Sequence, residues 1–129
     1  MHSDYRQISS VRKRYPFPVV EVHPETCKKL GIHDGQWVWI ENHKGRIMQK
    51  CRPFDGIDPR VVHADFGWWY PEMSEKEPSL FGVWISNVNI LVDDEQEYCA
   101  PEMGSWQLRC TLCRIYPVKP QELPEEFKT

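Results

Sequence analysis

The fold is decided by residues 18–52, which read PVVEVHPETCKKLGIHDGQWVWIENHKGRIMQKCR. The β-branched run from Pro18 to Val22 predicts a strand. The following residues, His23 to Gly31, predict one short helix, because proline and acid come early, lysines come late and glycine provides the stop. Two further runs, Trp37–Glu41 and Arg46–Arg52, are separated by turn residues and predict a hairpin.

The rest of the chain continues this pattern of short strands. Its 129 residues fit one domain, and its 11 prolines and 7 glycines favour short strands over long helices. Further strands are predicted at Val61–His63, Trp84–Ile85 and Leu108–Tyr116. A closed barrel buries so many short strands without leaving free edges, so the predicted fold is mainly β with short helices.

The charge pattern excludes some classes of partner. The net charge is −3, with 11 Lys and Arg against 7 Asp and Glu in residues 1–60, and 5 against 12 in residues 61–129. This distribution offers no basic patch large enough for nucleic acid. No apolar stretch approaches the roughly 18 residues of a membrane helix, and residues 1–10 do not resemble a secretion signal. We therefore expect a soluble chain that binds neither nucleic acid nor a bilayer directly.

The cysteines and histidines predict no metal site. The five cysteines are odd in number and irregularly spaced, which favours reduced thiols over a disulfide framework. Cys110 and Cys113 form a CxxC motif, but on the predicted strand they would face opposite sides, and no second CxxC completes a zinc site. We expect buried structural cysteines. The histidines considered as ligands form no HxH or HxxH pair: His23, His33, His43 and His63.

Six sequence blocks follow one another along the chain: Val20-Glu-Val-His-Pro-Glu-Thr26, Leu30-Gly-Ile-His-Asp-Gly-Gln-Trp-Val38, Lys44-Gly-Arg46, Gly67-Trp-Trp69, Asn87-Val-Asn-Ile-Leu91 and Leu112-Cys-Arg-Ile115. Their content and order resemble a known family, the C-terminal cofactor-binding domain of molybdopterin oxidoreductases. These enzymes are related to dimethyl sulfoxide reductase. The resemblance is greatest to branches with thiosulfate, polysulfide or formate-type members.

The resemblance implies a specific architecture, the six-stranded double-psi β-barrel shared with aspartate decarboxylase. It divides the chain into an approach segment at residues 1–16, a barrel at residues 17–118 and a tail at residues 119–129, which we expect to be disordered. It also leads us to expect an excised or truncated domain, with a free-standing homologue as the alternative. The substrate, the compartment and the oligomeric state are left open.

The resemblance further implies the cofactor and the partners. The cofactor is molybdopterin guanine dinucleotide carrying molybdenum or tungsten, and this domain closes over it while metal ligation and redox chemistry lie in other domains. The partners are those remaining domains, with an iron–sulfur subunit as a further candidate. We expect the isolated chain to be non-catalytic and to bind the cofactor weakly.

The first candidate contacts lie in the N-terminal block. The residues His2, Ser3, Arg6 and Gln7 match the family's His-Ser-x-x-Arg-Gln pattern, and they offer polar groups for a pterin edge or a pyrophosphate. Solvated disorder is the alternative for such a terminal segment. The charge run Arg12–Arg14 is interpreted as a solvated face.

The second group of candidates comes from two later blocks. Asn89 matches an Asn-x-Leu element whose amide can donate to and accept from a pterin or guanine, and the alternative is a helix cap. Asn87 is a weaker candidate. Gly67 allows close backbone approach and Trp68 offers a flat face, although aromatic residues in a small barrel are more often core. Trp37, Trp39, Trp84 and Trp106 are assigned to the core or to a surface that neighbouring domains cover.

Two other function classes fit a barrel of this kind. One is a small self-processing enzyme related to aspartate decarboxylase, for which Gly104-Ser105 is the only candidate cleavage site. The other is a protein interaction module that uses exposed tryptophans and the acidic second half of the chain. No Ser-His-Asp, GxSxG or glycine-rich phosphate motif is present, so the sequence predicts no catalytic residue.

Overall fold

The structure is a computed structural model that describes residues 5–106 and 111–128. The first half contains the main elements: α1 (Ser9–Arg14), β1 (Val19–Val22), α2 (Pro24–Leu30), β2 (Trp37–Glu41), β3 (Arg46–Pro53) and β4 (Val62–Ala64). The second half has shorter ones: α3 (Val83–Ser86), β5 (Cys99–Ala100), β6 (Ser105–Trp106) and β7 (Arg114–Pro117). The predicted mainly β class with few short helices is confirmed.

Five strands form the central sheet in the order β4-β1-β3-β2-β7. β1 pairs in parallel with β3 and antiparallel with β4, while β2 pairs antiparallel with both β3 and β7. The predicted β2–β3 hairpin is therefore present, and Asn42 closes its turn by accepting from the backbone N–H of Lys44. A separate two-stranded sheet joins β5 and β6.

Both faces of the hairpin are buried, which explains why its polar–apolar alternation is imperfect. One core cluster contains the inner residues Val38, Ile40, Ile47 and Cys51. The other takes the intervening positions, Trp37, Trp39 and Met48, together with Trp68, Tyr70, Val118 and Phe127. Each strand thus supplies apolar side chains to two cores, as expected for a sheet covered on both sides. Trp37 and Trp39 are core residues, as predicted.

Helix α2 has the predicted capping signals. Pro24 occupies the first turn, where a missing backbone N–H costs nothing, and the His23 Nδ1 atom accepts from the Glu25 N–H at 3.2 Å. Gly31 ends the helix in the left-handed region with φ of 65°. The cap places Ile32 in the first core cluster.

Three sequence predictions differ from the structure. Trp84 and Ile85 belong to α3 rather than to a strand, because the preceding turn reverses the chain at Gly82, where φ is 64°. The last strand begins at Arg114, and residues 107–110 lie outside the described residues. Residues 120–127, part of the expected disordered tail, form two 3₁₀ turns, and Phe127 packs in the second core.

The cysteine prediction holds only in part. Cys27 and Cys51 are buried, with their sulfur atoms 3.7 Å apart, and Cys99 is half-buried. Cys113 is exposed because it precedes the paired part of β7, so its expected burial is wrong. Cys110 lies outside the described residues. Among the described residues, no helix has the length and apolar character needed to cross a bilayer.

Candidate functional site

Two segments that carry predicted site residues meet on strand β3. One segment, residues 65–69, follows β4. The other, residues 86–91, begins at the last residue of α3. The fully buried side chain of Gln49 joins them: its Nε2 donates to the backbone oxygen of Asp65 at 2.7 Å and to that of Ser86 at 3.1 Å. Its Oε1 accepts from the Asp65 N–H at 3.1 Å. The carbonyl and amide groups of Gln49 are therefore both satisfied.

A second buried link lies beside the first. The Tyr70 hydroxyl contacts the Ser86 Oγ at 2.8 Å, and this Oγ donates to the backbone oxygen of Met48 at 2.6 Å. Since the Ser86 hydroxyl uses its one proton in the bond to the Met48 oxygen, the Tyr70 hydroxyl is the donor in the bond between Tyr70 and Ser86. Burial raises the pKa of Tyr70, so its hydroxyl keeps this proton across the physiological range.

Arg6 covers the aromatic part of the site. Its guanidinium carbon lies 4.2 Å from the centroid of the Trp68 ring, and its nitrogens donate to the backbone oxygens of Trp69 at 2.8 Å and Tyr15 at 2.7 Å. Glu72 lies 3.5 Å away and supplies a partly exposed counter-charge. Burial lowers the pKa of Arg6 and Glu72 opposes that change, so the guanidinium stays charged.

The structure brings several predicted residues together. Arg6, Gly67 and Trp68 are contiguous, with Gly67 half-buried and in the left-handed region at φ of 62°. Asn89 is exposed on the segment that Gln49 ties to them. Gln7 is exposed beside Arg6. His2 and Ser3 lie outside the described residues.

The helix-cap alternative for the asparagines applies to Asn87. Its Oδ1 accepts from the Asn89 N–H at 3.1 Å at the start of the 3₁₀ turn Val88–Leu91. The Asn89 side chain is therefore not the cap, although its backbone is held by one. The Asn89 amide lies on the exposed side of a fixed turn, where a ligand edge can reach it.

Asp65, which begins the segment 65–69, contacts the protein itself. Its Oδ2 accepts from the Val19 N–H at 2.9 Å, and its backbone pairs with Gln49. These contacts fix the point at which the chain leaves β4. We assign Asp65 to holding the start of the candidate segment.

Sequence reasoning missed Gln49, Ser86 and Tyr70. The available signal was weak: Gln49 occupies the strand face between buried Ile47 and Cys51, where an unpartnered amide would be costly. A polar residue at such a position indicates long-range hydrogen bonds. Its partners at Asp65 and Ser86, however, cannot be read from local spacing.

The polar groups present fit a flat heterocycle at its edge. The Trp68 Nε1 is a buried donor that has no acceptor at full hydrogen-bond geometry and interacts weakly with the Tyr70 hydroxyl, whereas the exposed Asn89 amide offers a donor and an acceptor. The face of Trp68 is covered by Arg6 and its side chain is only 1% exposed, so face-on stacking is not available. Among the described residues, no group of three or more His, Cys, Asp or Glu could hold a metal ion.

Comparison with known proteins gives relatives of much greater length. The chain is 34% identical over 123 residues to the dopamine dehydroxylase of Eggerthella lenta, covering 95% of the chain and 12% of that protein. It is 31% identical over 109 residues to the acetylene hydratase of Syntrophotalea acetylenica, covering 83% and 15% respectively. The chain thus spans less than a sixth of the length of either relative.

A solved structure agrees with these matches. Acetylene hydratase from Pelobacter acetylenicus superimposes with a TM-score of 0.83 at 28% identity, over 92% of this chain and 16% of that one. The family model described as Molydopterin dinucleotide binding domain matches residues 1–100. The chain therefore belongs to this family, the molybdopterin dinucleotide-binding domain of molybdenum and tungsten oxidoreductases related to dimethyl sulfoxide reductase.

Proposed function

We propose that this chain contributes one wall of a molybdopterin guanine dinucleotide site whose metal ligands lie in other parts of the parent enzyme. The observation that carries the proposal is the convergence of the segments 65–69 and 86–91 on Gln49, beside Arg6. When bound, the cofactor supplies the metal-centred chemistry. The chain's own residues bind and orient it.

The proposed contacts have distinct roles. The Asn89 amide pairs with a ring edge of the pterin or guanine. Trp68 is 1% exposed, so it acts from beneath the site, beside Gly67, and not by direct contact with the ligand. Gly67 allows the backbone to approach the ligand closely. Gln7 and the N-terminal residues His2 and Ser3 add polar contacts.

Arg6 contributes in a different way. Its guanidinium already contacts the backbone oxygens of Trp69 and Tyr15 and the carboxylate of Glu72, which partly neutralise its charge. It therefore acts on the ligand by fixing the position of Trp68 and by adding positive potential near a pyrophosphate. Glu72 reduces this potential but does not cancel it.

The parent enzyme is proposed to be a molybdenum or tungsten oxidoreductase. The support is the family membership together with the small share, 12% and 15%, that the chain covers of the two relatives. The partners are then the remaining domains of that enzyme, and an iron–sulfur subunit is a further proposed partner. The domain division at residues 16 and 118 is proposed on the same basis.

We propose the six-stranded double-psi topology for the complete barrel. Its support is the parallel β1–β3 pair flanked by antiparallel partners, and the similarity to the acetylene hydratase structure. The small-enzyme alternative has less support, because Gly104 has φ of 60° in the turn between β5 and β6, which gives it a conformational role.

Titration with GDP tests the site. The 129-residue chain is isotope-labelled and its amide and indole N–H signals are followed by NMR. We expect localised shifts at Gly67, Asn89 and the Trp68 indole, and weaker shifts with ADP because its base edge presents different donors. Asn89→Ala should reduce the shifts. Gln36→Ala, whose side-chain amide accepts from the His33 N–H in the turn after α2, is the control.

Two results would contradict the proposal. One is the absence of localised shifts at millimolar GDP both in this chain and in the assembled parent enzyme. The other is binding centred on a different surface, such as helix α2. Binding only in the parent enzyme would instead support a site shared with other domains.

A further inference from the structure

We propose that Gln49 is a positioning residue that couples the segments 65–69 and 86–91 into one ligand-binding unit. The identity of the ligand rests on the proposed function, whereas the coupling of the two segments stands on the geometry. Gln49 itself is fully buried and touches no ligand. It acts through the backbone of Asp65 and of Ser86.

The geometry of the amide is suited to this role. One terminal nitrogen carries two protons, and each reaches a backbone oxygen on a different segment, at 2.7 Å for Asp65 and 3.1 Å for Ser86. The amide oxygen accepts from the Asp65 N–H. No other uncharged side chain of this length presents two donors and an acceptor. Methionine keeps its volume but makes none of these bonds, and glutamate keeps only the acceptor.

The Tyr70–Ser86 link makes the coupling stiffer. Residues 66–69 are held at one end by Asp65 through Gln49 and at the other end by Tyr70 through Ser86. Ser86 in turn is bonded to the backbone of Met48, the neighbour of Gln49 on β3. Both ends of the loop that carries Gly67 and Trp68 are therefore linked to Ser86, the residue before the Asn87–Leu91 turn. One end is linked through Gln49 and the other through the Tyr70 hydroxyl.

A purely space-filling role does not account for Gln49. The positions on either side of it on the same strand face, Ile47 and Cys51, are apolar and buried. An apolar residue would bury equivalent area without the cost of desolvating an amide. Because hydrogen bonds are directional, the Gln49 amide fixes the distance between the backbones of the two segments, which apolar packing alone would not do.

The test compares Gln49→Met and Gln49→Glu with the wild-type chain. The control is Thr26→Val, which also removes a long-range side-chain bond to a backbone oxygen, the 2.6 Å bond to Pro59, but far from both segments. Amide hydrogen exchange is measured without ligand, and GDP titration is followed by NMR. The core amides of Val38 and Ile47 report global unfolding and allow it to be subtracted.

In the absence of ligand, Gln49→Met should accelerate exchange in residues 66–69 and 87–91 together, by roughly tenfold, after subtraction of global unfolding. The Thr26→Val variant should leave both segments unchanged. Acceleration in one segment alone would overturn the coupling, whatever the ligand. Unchanged exchange in both segments would overturn it as well.

With GDP, Gln49→Met should weaken binding by about tenfold while wild type and Thr26→Val bind alike. Gln49→Glu should recover part of the affinity relative to wild type as pH falls, because a neutral buried glutamic acid regains one donor. Equal affinity of wild type and Gln49→Met overturns the inference but leaves the proposed function intact. If wild type binds GDP neither as the isolated chain nor in the parent enzyme, the proposed function and the ligand part of the inference fail together. The hydrogen-exchange measurement without ligand still decides whether Gln49 couples the two segments.

Discussion

The guanidinium carbon of Arg6 lies over the Trp68 ring, 4.2 Å from its centroid, and both side chains are 1% exposed. A buried cation over an aromatic ring is stabilised by the ring's electrons, and here it is also held by backbone oxygens on two distant segments. Arg6 therefore joins the N-terminal block to the loop that carries Gly67, which gives the pair a structural role.

Removal of this contact should destabilise the fold. Arg6→Met loses the charge-assisted bonds to Trp69 and Tyr15 and leaves their oxygens unpaired, so we expect the free energy of unfolding to fall by about 2–4 kcal/mol. Arg6→Lys should recover only part of it, because a lysine lacks the planar fork. Urea denaturation followed by tryptophan fluorescence measures both. Arg14→Met, on the exposed end of α1, should change little. Equal effects of the two Met variants would show that the burial of Arg6 does not matter for folding.

The C-terminal segment should also contribute to stability. Phe127 is buried and stacks on Trp37 with ring centroids 4.8 Å apart. Phe127→Ala should cost about 3 kcal/mol, since it removes a large buried ring. Phe54→Ala is the matched control, because Phe54 is 41% exposed. Thermal unfolding compares them, and similar losses in the two variants would contradict the packing of the segment.

Glu21 should stabilise the fold in a pH-dependent way. His63 and then Arg52 hold the pKa of this carboxyl below its ordinary value of 4.5 through hydrogen bonds. A lowered carboxyl pKa contributes stability that is complete above the unfolded pKa and is lost as pH falls through the folded one. The stability difference between wild type and Glu21→Gln should therefore be present at pH 7 and shrink as the pH falls below 4.5 and through the lowered pKa.

The measurement is the free energy of unfolding from urea curves at each pH. The exposed Glu75→Gln variant provides the control, because Glu75 makes no ion pair with the described residues. A difference between wild type and Glu21→Gln that stays constant down to pH 3 would show that the His63 and Arg52 contacts do not favour the charged carboxylate.

The cysteines should differ sharply in reactivity. Burial, with a smaller contribution from Cys27, raises the pKa of Cys51 to about 12, and the Cys27 sulfur lies 3.7 Å away in the same core. Because the thiolate is the reactive form, iodoacetamide at pH 8 should modify exposed Cys113 before the other described cysteines, even though partial burial also raises the pKa of Cys113. Cys27 and Cys51 should be modified only on unfolding. Peptide mass spectrometry with and without urea identifies the sites. Early labelling of Cys51 in the folded chain would contradict its burial.

The local parts of the fold were predictable from sequence, and the long-range parts were not. The caps at Pro24 and Gly31 and the turn at Asn42 are determined by neighbouring residues, so α2 and the hairpin appear where expected. Trp84 was misassigned because its apolar neighbours suit a strand and a short helix equally well, and the preceding turn decides between them.

The candidate site shows the same division. The positions of Gly67, Trp68 and Asn89 followed from their blocks, but the burial of Arg6 over Trp68 joins residues 62 positions apart and has no local signal. Gln49 was missed for a related reason: its three hydrogen bonds reach 16 and 37 residues along the chain. Only the folded chain brings these groups within bonding distance.

The burial of both hairpin faces has a consequence for folding accuracy. A slip of one residue in the β2–β3 pairing would exchange the faces, sending Trp37 and Trp39 into the space that holds Val38 and Ile40. If β3 moved instead of β2, Gln49 would be replaced by Met48 or Lys50, neither of which can satisfy Asp65 and Ser86. A misregistered β2 therefore produces steric overlap and a misregistered β3 leaves polar groups unmet, so the strand alignment is protected twice against error.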